Sequence, residues 1–104
     1  MLNMFVYGSL LDKTLRLNVL GHDIEGKFDT LEDYIVDTHS VLNSYPTIIK
    51  LEGGFVHGKV FQVSDDDIVK IDRYESYYYK KIEVTLKSKV MSLVYIERHF
   101  NVGS

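Results

Sequence analysis

The sequence predicts an α+β domain, a small and mostly antiparallel β-barrel of about six to seven strands with two short flanking helices. Three observations predict it. Apolar residues alternate with a period of two over most of the chain, and helical spacing is confined to two segments. The connections are short, which favours antiparallel neighbours. The 104 residues carry one proline and no low-complexity linker, so residues 1–104 read as a single domain around one core.

Taken in order, residues 3–7 form a strand that Gly8 ends, and 11–20 form the first helix, with Leu10, Leu11, Leu15 and Val19 close to one face and Gly21 as its stop. Residues 23–29, 32–42 and 46–51 each read as a strand, the middle one bent. Gly53-Gly54 predicts a tight turn into the strand 55–63, inside which Gly58 marks a bulge or a close backbone approach. Ser64 caps a second helix, and Asp65, Asp66 and Asp67 complement its positive end. Ile68, Val69 and Ile71 are expected to face inward, and the helix to end near Tyr74. Strands over 78–87 and 89–97, joined tightly at Ser88, complete the chain.

Composition narrows the function classes. Hydrophobic and charged fractions of 45% and 26% are those of an ordinary globular protein. A net charge of −3, with Lys80-Lys81 the only adjacent basic pair, argues against nucleic-acid binding, which draws its strength from phosphate neutralisation. The absence of cysteine removes disulfides, thiolate catalysis and cysteine-based metal sites, and fits a cytoplasmic setting. No apolar run approaches a membrane span, and the first apolar segment lacks the basic residues that precede one in a secretory signal. The tyrosine-rich surface permits a homodimer.

Two stretches carry chemistry. Tyr7-Gly8-Ser9-Leu10 is by itself a strand-ending turn, yet amides that lead from a glycine into a helix also suit a carboxylate or phosphate. Asp72-Arg73-Tyr74-Glu75, running on to Tyr77-Tyr78-Tyr79-Lys80-Lys81, sets Glu75 among aromatic rings. Shielded in this way, a carboxyl group titrates high and can exchange protons near neutrality. In solvent it is only a helix-end glutamate, and these residues alone leave both readings open. The other candidates are weaker. His22, His39, His57 and His99 lack metal-ligand spacing, Ser9 has no nucleophile-elbow context, and Asp65 to Asp67 lack the spaced ligands of a calcium loop. No metal is expected.

These motifs stand in a telling order: YGSL after an N-terminal strand, Ser44-Tyr45-Pro46, Gly58-Lys59-Val60, then DRYE with Tyr79-Lys80-Lys81. In that order and spacing the chain resembles the γ-glutamylcyclotransferase-like (AIG2-like) superfamily, including the γ-glutamylamine cyclotransferases, from about Met4 to Tyr95. The resemblance implies a cavity at one end of the barrel. It implies that Tyr7, Gly8, Ser9 and Leu10 hold the carboxylate and amine end of a γ-glutamyl group, with Glu75 as the acid/base. Tyr45, Tyr79 and Lys81 are the further substrate-binding positions it suggests, and it requires no cofactor. The activity implied is cyclisation of a γ-glutamyl amine or peptide to 5-oxoproline. Three departures bear on the substrate: a chain shorter than many active members, lysine at 81 in place of the usual arginine, and the Tyr77-Tyr78-Tyr79 run. They leave a second class open, a non-catalytic relative that sequesters a small anionic or nucleotide-like metabolite.

Overall fold

A computed structural model describes residues 1–37 and 47–98. Along the chain lie β1 (Leu2–Val6), a single 3-10 turn (Ser9–Leu11), α1 (Lys13–Leu20), β2 (Gly26–Asp37), β3 (Thr47–Val63), α2 (Asp65–Glu75), β4 (Tyr79–Thr85) and β5 (Met91–Glu97). The strands form one five-stranded sheet in the order β2-β3-β1-β5-β4. Every neighbouring pair is antiparallel except β1 with β5, which run parallel at the centre.

The α+β class, the antiparallel bias and the two helices are as expected, but the described strands number five, because two pairs of expected strands are continuous. Residues 26–29 and 32–37 of the first two expected strands belong to one strand, β2, which continues past an irregularity at Asp33 (φ 65°), and the rest of the second, 38–42, lies outside the described residues. Residues 47–51 and 55–63 are both β3, so Gly53-Gly54 is not a hairpin turn. Glu32 pairs with Phe55 and Tyr34 with Lys50, so residues 51–54 bulge out opposite Asp33. The Asp33 carboxylate accepts from the Gly53 amide at 3.0 Å, and Gly53 sits at φ 84°. A side-chain acceptor and a left-handed glycine let the chain bulge without reversing.

Both faces of the sheet are covered. On β1, Met4 and Val6 point to a core shared with Leu10, Leu20 and Ile71 under the helices. Phe5 points the other way, into a second core with Leu31, Val56, Leu86 and Val94. Helices cover the first face, and the sheet covers the second by curling on itself. Leu86, beyond β4, is buried beside Leu31 of β2, although β4 and β2 are opposite edges of the strand order. Lys87 N donates to Thr30 O at 2.8 Å, and the Ser88 hydroxyl donates to the Asp29 carboxylate. The barrel is thus drawn together by the β4–β5 turn, without a closing ladder. Gly58 is the close approach expected of it: a Cβ there would strike the Val6 carbonyl and the Phe5 ring.

The helices depart from expectation in which residues they bury. α2 is capped as expected, with Asp67 N donating to Ser64 Oγ at 3.1 Å and Ser64 N to Asp67 Oδ2 at 3.0 Å. Ile71 is buried and Ile68 packs against the core, but Val69 is exposed. In α1 the buried residues are Arg16 and Leu20, so the inward face is turned away from Leu15. Leu10, Leu11 and Val19 meet the core as expected; the buried Arg16 was not foreseen because an arginine carries no apolar signal.

Candidate active site

Where β1 ends, the chain turns across the open end of the curled sheet. The turn is closed by Leu11 N donating to Gly8 O and Asp12 N to Ser9 O, both at 3.0 Å. The amides of Ser9 and Leu10, one turn earlier, take no part in it, as expected at the start of any helical turn. A Cβ built on Gly8 meets nothing within 4 Å, so packing within the protein does not demand glycine there.

A cavity of about 360 Å3 opens over this turn. Tyr7, Gly8, Ser9 and Leu10 form one side, Tyr74, Glu75, Ser76, Tyr78 and Tyr79 another, with Tyr95 between them. The two stretches singled out in the sequence therefore meet across one cavity. They are also bonded: Ser9 Oγ and the Tyr74 hydroxyl lie 2.5 Å apart, 65 residues distant in sequence. Tyr7 reaches across the parallel pair and donates its hydroxyl to Tyr95 O at 2.8 Å.

Glu75 is the last residue of α2, which Ser76 ends at φ 68° with its amide on Asp72 O. The chain turns away at once, leaving Glu75 half-buried over the cavity. Burial alone pushes its carboxyl up to about 7. Among the described residues no cation or hydrogen-bond donor pairs with it. Burial also raises the Tyr7 hydroxyl well above the usual phenol range, with Tyr79 and Glu75 adding to it against a bond to Thr47. Asp72 contrasts with Glu75. Although burial works against it, Lys81 at 2.7 Å and the Tyr95 hydroxyl hold its carboxyl below the usual range. Of two acidic residues three positions apart, one is held as an anion by its partners and the other is pushed by burial toward neutral pH.

Lys81 does not line this cavity. It pairs with Asp72 and lines a neighbouring depression with Arg98, behind Tyr79 and Tyr95. A lysine opposite Tyr95 in the β4–β5 register lies on the face of α2, where the nearest carboxylate captures it. Tyr45 lies outside the described residues, as do His39 and His99. His57 contacts Thr30, and His22 bonds Asp67 between the helices, both away from the cavity. Among the described residues no group of three or more acidic or histidine side chains is placed to hold a metal. No described helix is long and apolar enough to cross a membrane.

Sequence reasoning missed Tyr74, Tyr95 and Arg16. Tyr74 immediately precedes Glu75 and was legible only as part of the aromatic run; Tyr95 is fixed by the β1–β5 pairing. Arg16 is buried under the turn, its guanidinium 4.6 Å from the Phe61 ring centre. Its Nη1 donates to the carbonyls of Leu10 at 3.1 Å and Leu11 at 3.2 Å.

The family model described as gamma-glutamyl cyclotransferase, AIG2-like, matches residues 4–102. The chain belongs to that family. Its AIG2-like fold recurs in solved structures. Two Arabidopsis thaliana proteins known by solution structures superpose with a TM-score of 0.80 each, at 27% and 28% identity. The match covers 92% and 99% of this chain, and 61% and 71% of theirs. A structure described as gamma-glutamyl cyclotransferase has a TM-score of 0.74 at 20% identity, over 96% of this chain and 68% of its own, a likeness of fold. A comparison with curated proteins gives no match.

Proposed function

We propose that this AIG2-like chain is a γ-glutamylcyclotransferase that converts a γ-glutamyl amine or peptide to 5-oxoproline and releases the amine. The observation that carries the reading is Glu75, a half-buried carboxyl pushed up to about 7, across one cavity from the Tyr7–Leu10 turn. The substrate's α-carboxylate sits on the amides of Ser9 and Leu10, which folds the γ-carbonyl back toward the α-amine. At neutral pH that amine is protonated and cannot attack. Glu75 takes one proton from it, and the freed nitrogen adds to the γ-carbonyl carbon. The new C–N bond closes a five-membered ring as the old one breaks. The α-nitrogen loses a second proton to become the ring amide. Both protons end on the departing amine, so the reaction is balanced without a cofactor. The Tyr95 and Tyr79 rings close the cavity wall around the reacting atoms and exclude water. We place the reaction in the cytoplasm.

The test is release of 5-oxoproline from γ-glutamyl-alanine and from γ-glutamyl-lysine. Wild type is expected to turn over at least one of them, with kcat rising with pH through about 7 as Glu75 ionises. Glu75→Gln should lose roughly two to four orders of magnitude in kcat, the usual worth of a positioned acid/base. Activity that survives the substitution removes Glu75 from the mechanism. Should neither compound be cyclised while 5-oxoproline still binds, the chain is an anion-binding relative without turnover.

A further inference from the structure

Arg16 carries a full charge, is 8% exposed, and faces no carboxylate among the described residues. Its Nε is buried without a hydrogen-bond partner. A buried cation held only by two carbonyls and a ring face is costly unless it serves something. What it serves can be traced bond by bond. One carbonyl it holds, that of Leu10, shares its peptide group with the Leu11 amide, which donates to Gly8 O. The Gly8 carbonyl in turn shares its peptide group with the Ser9 amide. The other carbonyl, that of Leu11, shares its peptide group with the Asp12 amide, which donates to Ser9 O. That last peptide group ends in the Leu10 amide. Two parallel chains of hydrogen-bonded peptides thus start at one guanidinium and end at the amides of Ser9 and Leu10, residues that line the cavity.

We infer that Arg16 is a positioning residue for the anion-binding turn, fixing it in place and polarising its Ser9 and Leu10 amides toward a bound carboxylate. Hydrogen-bonded peptides in a chain polarise one another in the same sense, so positive charge behind the first carbonyl strengthens the last donor. The low dielectric that makes Arg16 costly also leaves its field little screened. This rests on the reading of the turn as a carboxylate site, and adds where the donor strength of that site originates.

The test measures binding, not turnover. 5-Oxoproline and 5-oxoprolinamide, which differ in whether a carboxylate is present, are titrated against wild type, Arg16→Lys and Arg16→Met. Arg16→Met is expected to weaken 5-oxoproline roughly tenfold and leave the amide's affinity nearly unchanged, as charge-assisted bonds are about twice as strong as neutral ones. Arg16→Lys, which retains the charge, should recover most of the loss. Equal weakening of both ligands by Arg16→Met would show a packing role only and overturn the inference, as would failure of wild type to prefer the acid. If Arg16→Met does not fold, the neutral Arg16→Gln takes its place: a reduced preference for the acid in the folded variant upholds the inference, and an unchanged preference rejects it. Binding with this charge dependence, but without cyclisation of any γ-glutamyl compound, would remove the proposed reaction and keep the role of Arg16.

Discussion

Glu75 ionises near 4.5 in an unfolded chain and near 7 in the fold. Below pH 4.5 both states are protonated and its burial makes no pH-dependent difference. As pH rises, the unfolded chain releases the proton first, so stability declines through this window and levels off above about pH 7. The shift corresponds to a loss of at most roughly 3 kcal/mol. Glu75→Gln is therefore expected to melt at a higher temperature than wild type at pH 8, with the margin gone by pH 4. Thermal melts across that range check it, and a margin independent of pH would show that burial does not set the Glu75 titration. A carboxyl that weakens the fold in this way is a candidate functional group.

At the level of the elements, two glycines of similar appearance in sequence do different work. A Cβ on Gly58 would enter the Val6 carbonyl and part β1 from β3, whereas one on Gly8 meets open space. Gly58→Ala is expected to cost roughly 2–3 kcal/mol, as overpacking does. Gly8→Ala should leave the denaturant midpoint nearly unchanged, while lowering affinity for 5-oxoproline. A stability loss at Gly8 equal to that at Gly58 would make the turn's glycine structural. Much of this level was legible in the sequence, because Ser64 and Gly21 act through local geometry that their residue types announce, and a glycine inside a strand, as at Gly58, announces a close approach. The strand count was not. Whether Gly53-Gly54 reverses the chain or bulges depends on Asp33, twenty residues earlier, supplying an acceptor to the Gly53 amide. The burial of Arg16 in α1 was illegible for a related reason: its partners are backbone carbonyls, which no side-chain pattern displays. Lys81 was read toward the cavity because its partner Asp72 sits on another element.

For the molecule as a whole, the curl of the sheet keeps the second core dry. Asp29 ties the two edges by accepting from Ser88 and from the Thr30 amide, next to the Lys87–Thr30 bond. Asp29→Ala is expected to lower stability by about 1 kcal/mol and to speed amide exchange at Lys87 and Ser88, while exchange along β1 stays slow. Exchange that quickens equally in β1 would mean the sheet opens as one unit. The central parallel pair has a different consequence, one of timing. Tyr7 meets Tyr95 across 88 residues of sequence, and β1 gains its second neighbour only when β5 arrives. The α2–β3 side can form from nearer contacts, but the wall between Glu75 and the Tyr7–Leu10 turn is built from the last strand. Contacts so distant along the chain are slow to form. The Glu75 carboxyl and the Tyr7–Leu10 turn can therefore each take shape before the cavity wall that faces them is in place, so the cavity is among the later features of the fold to close.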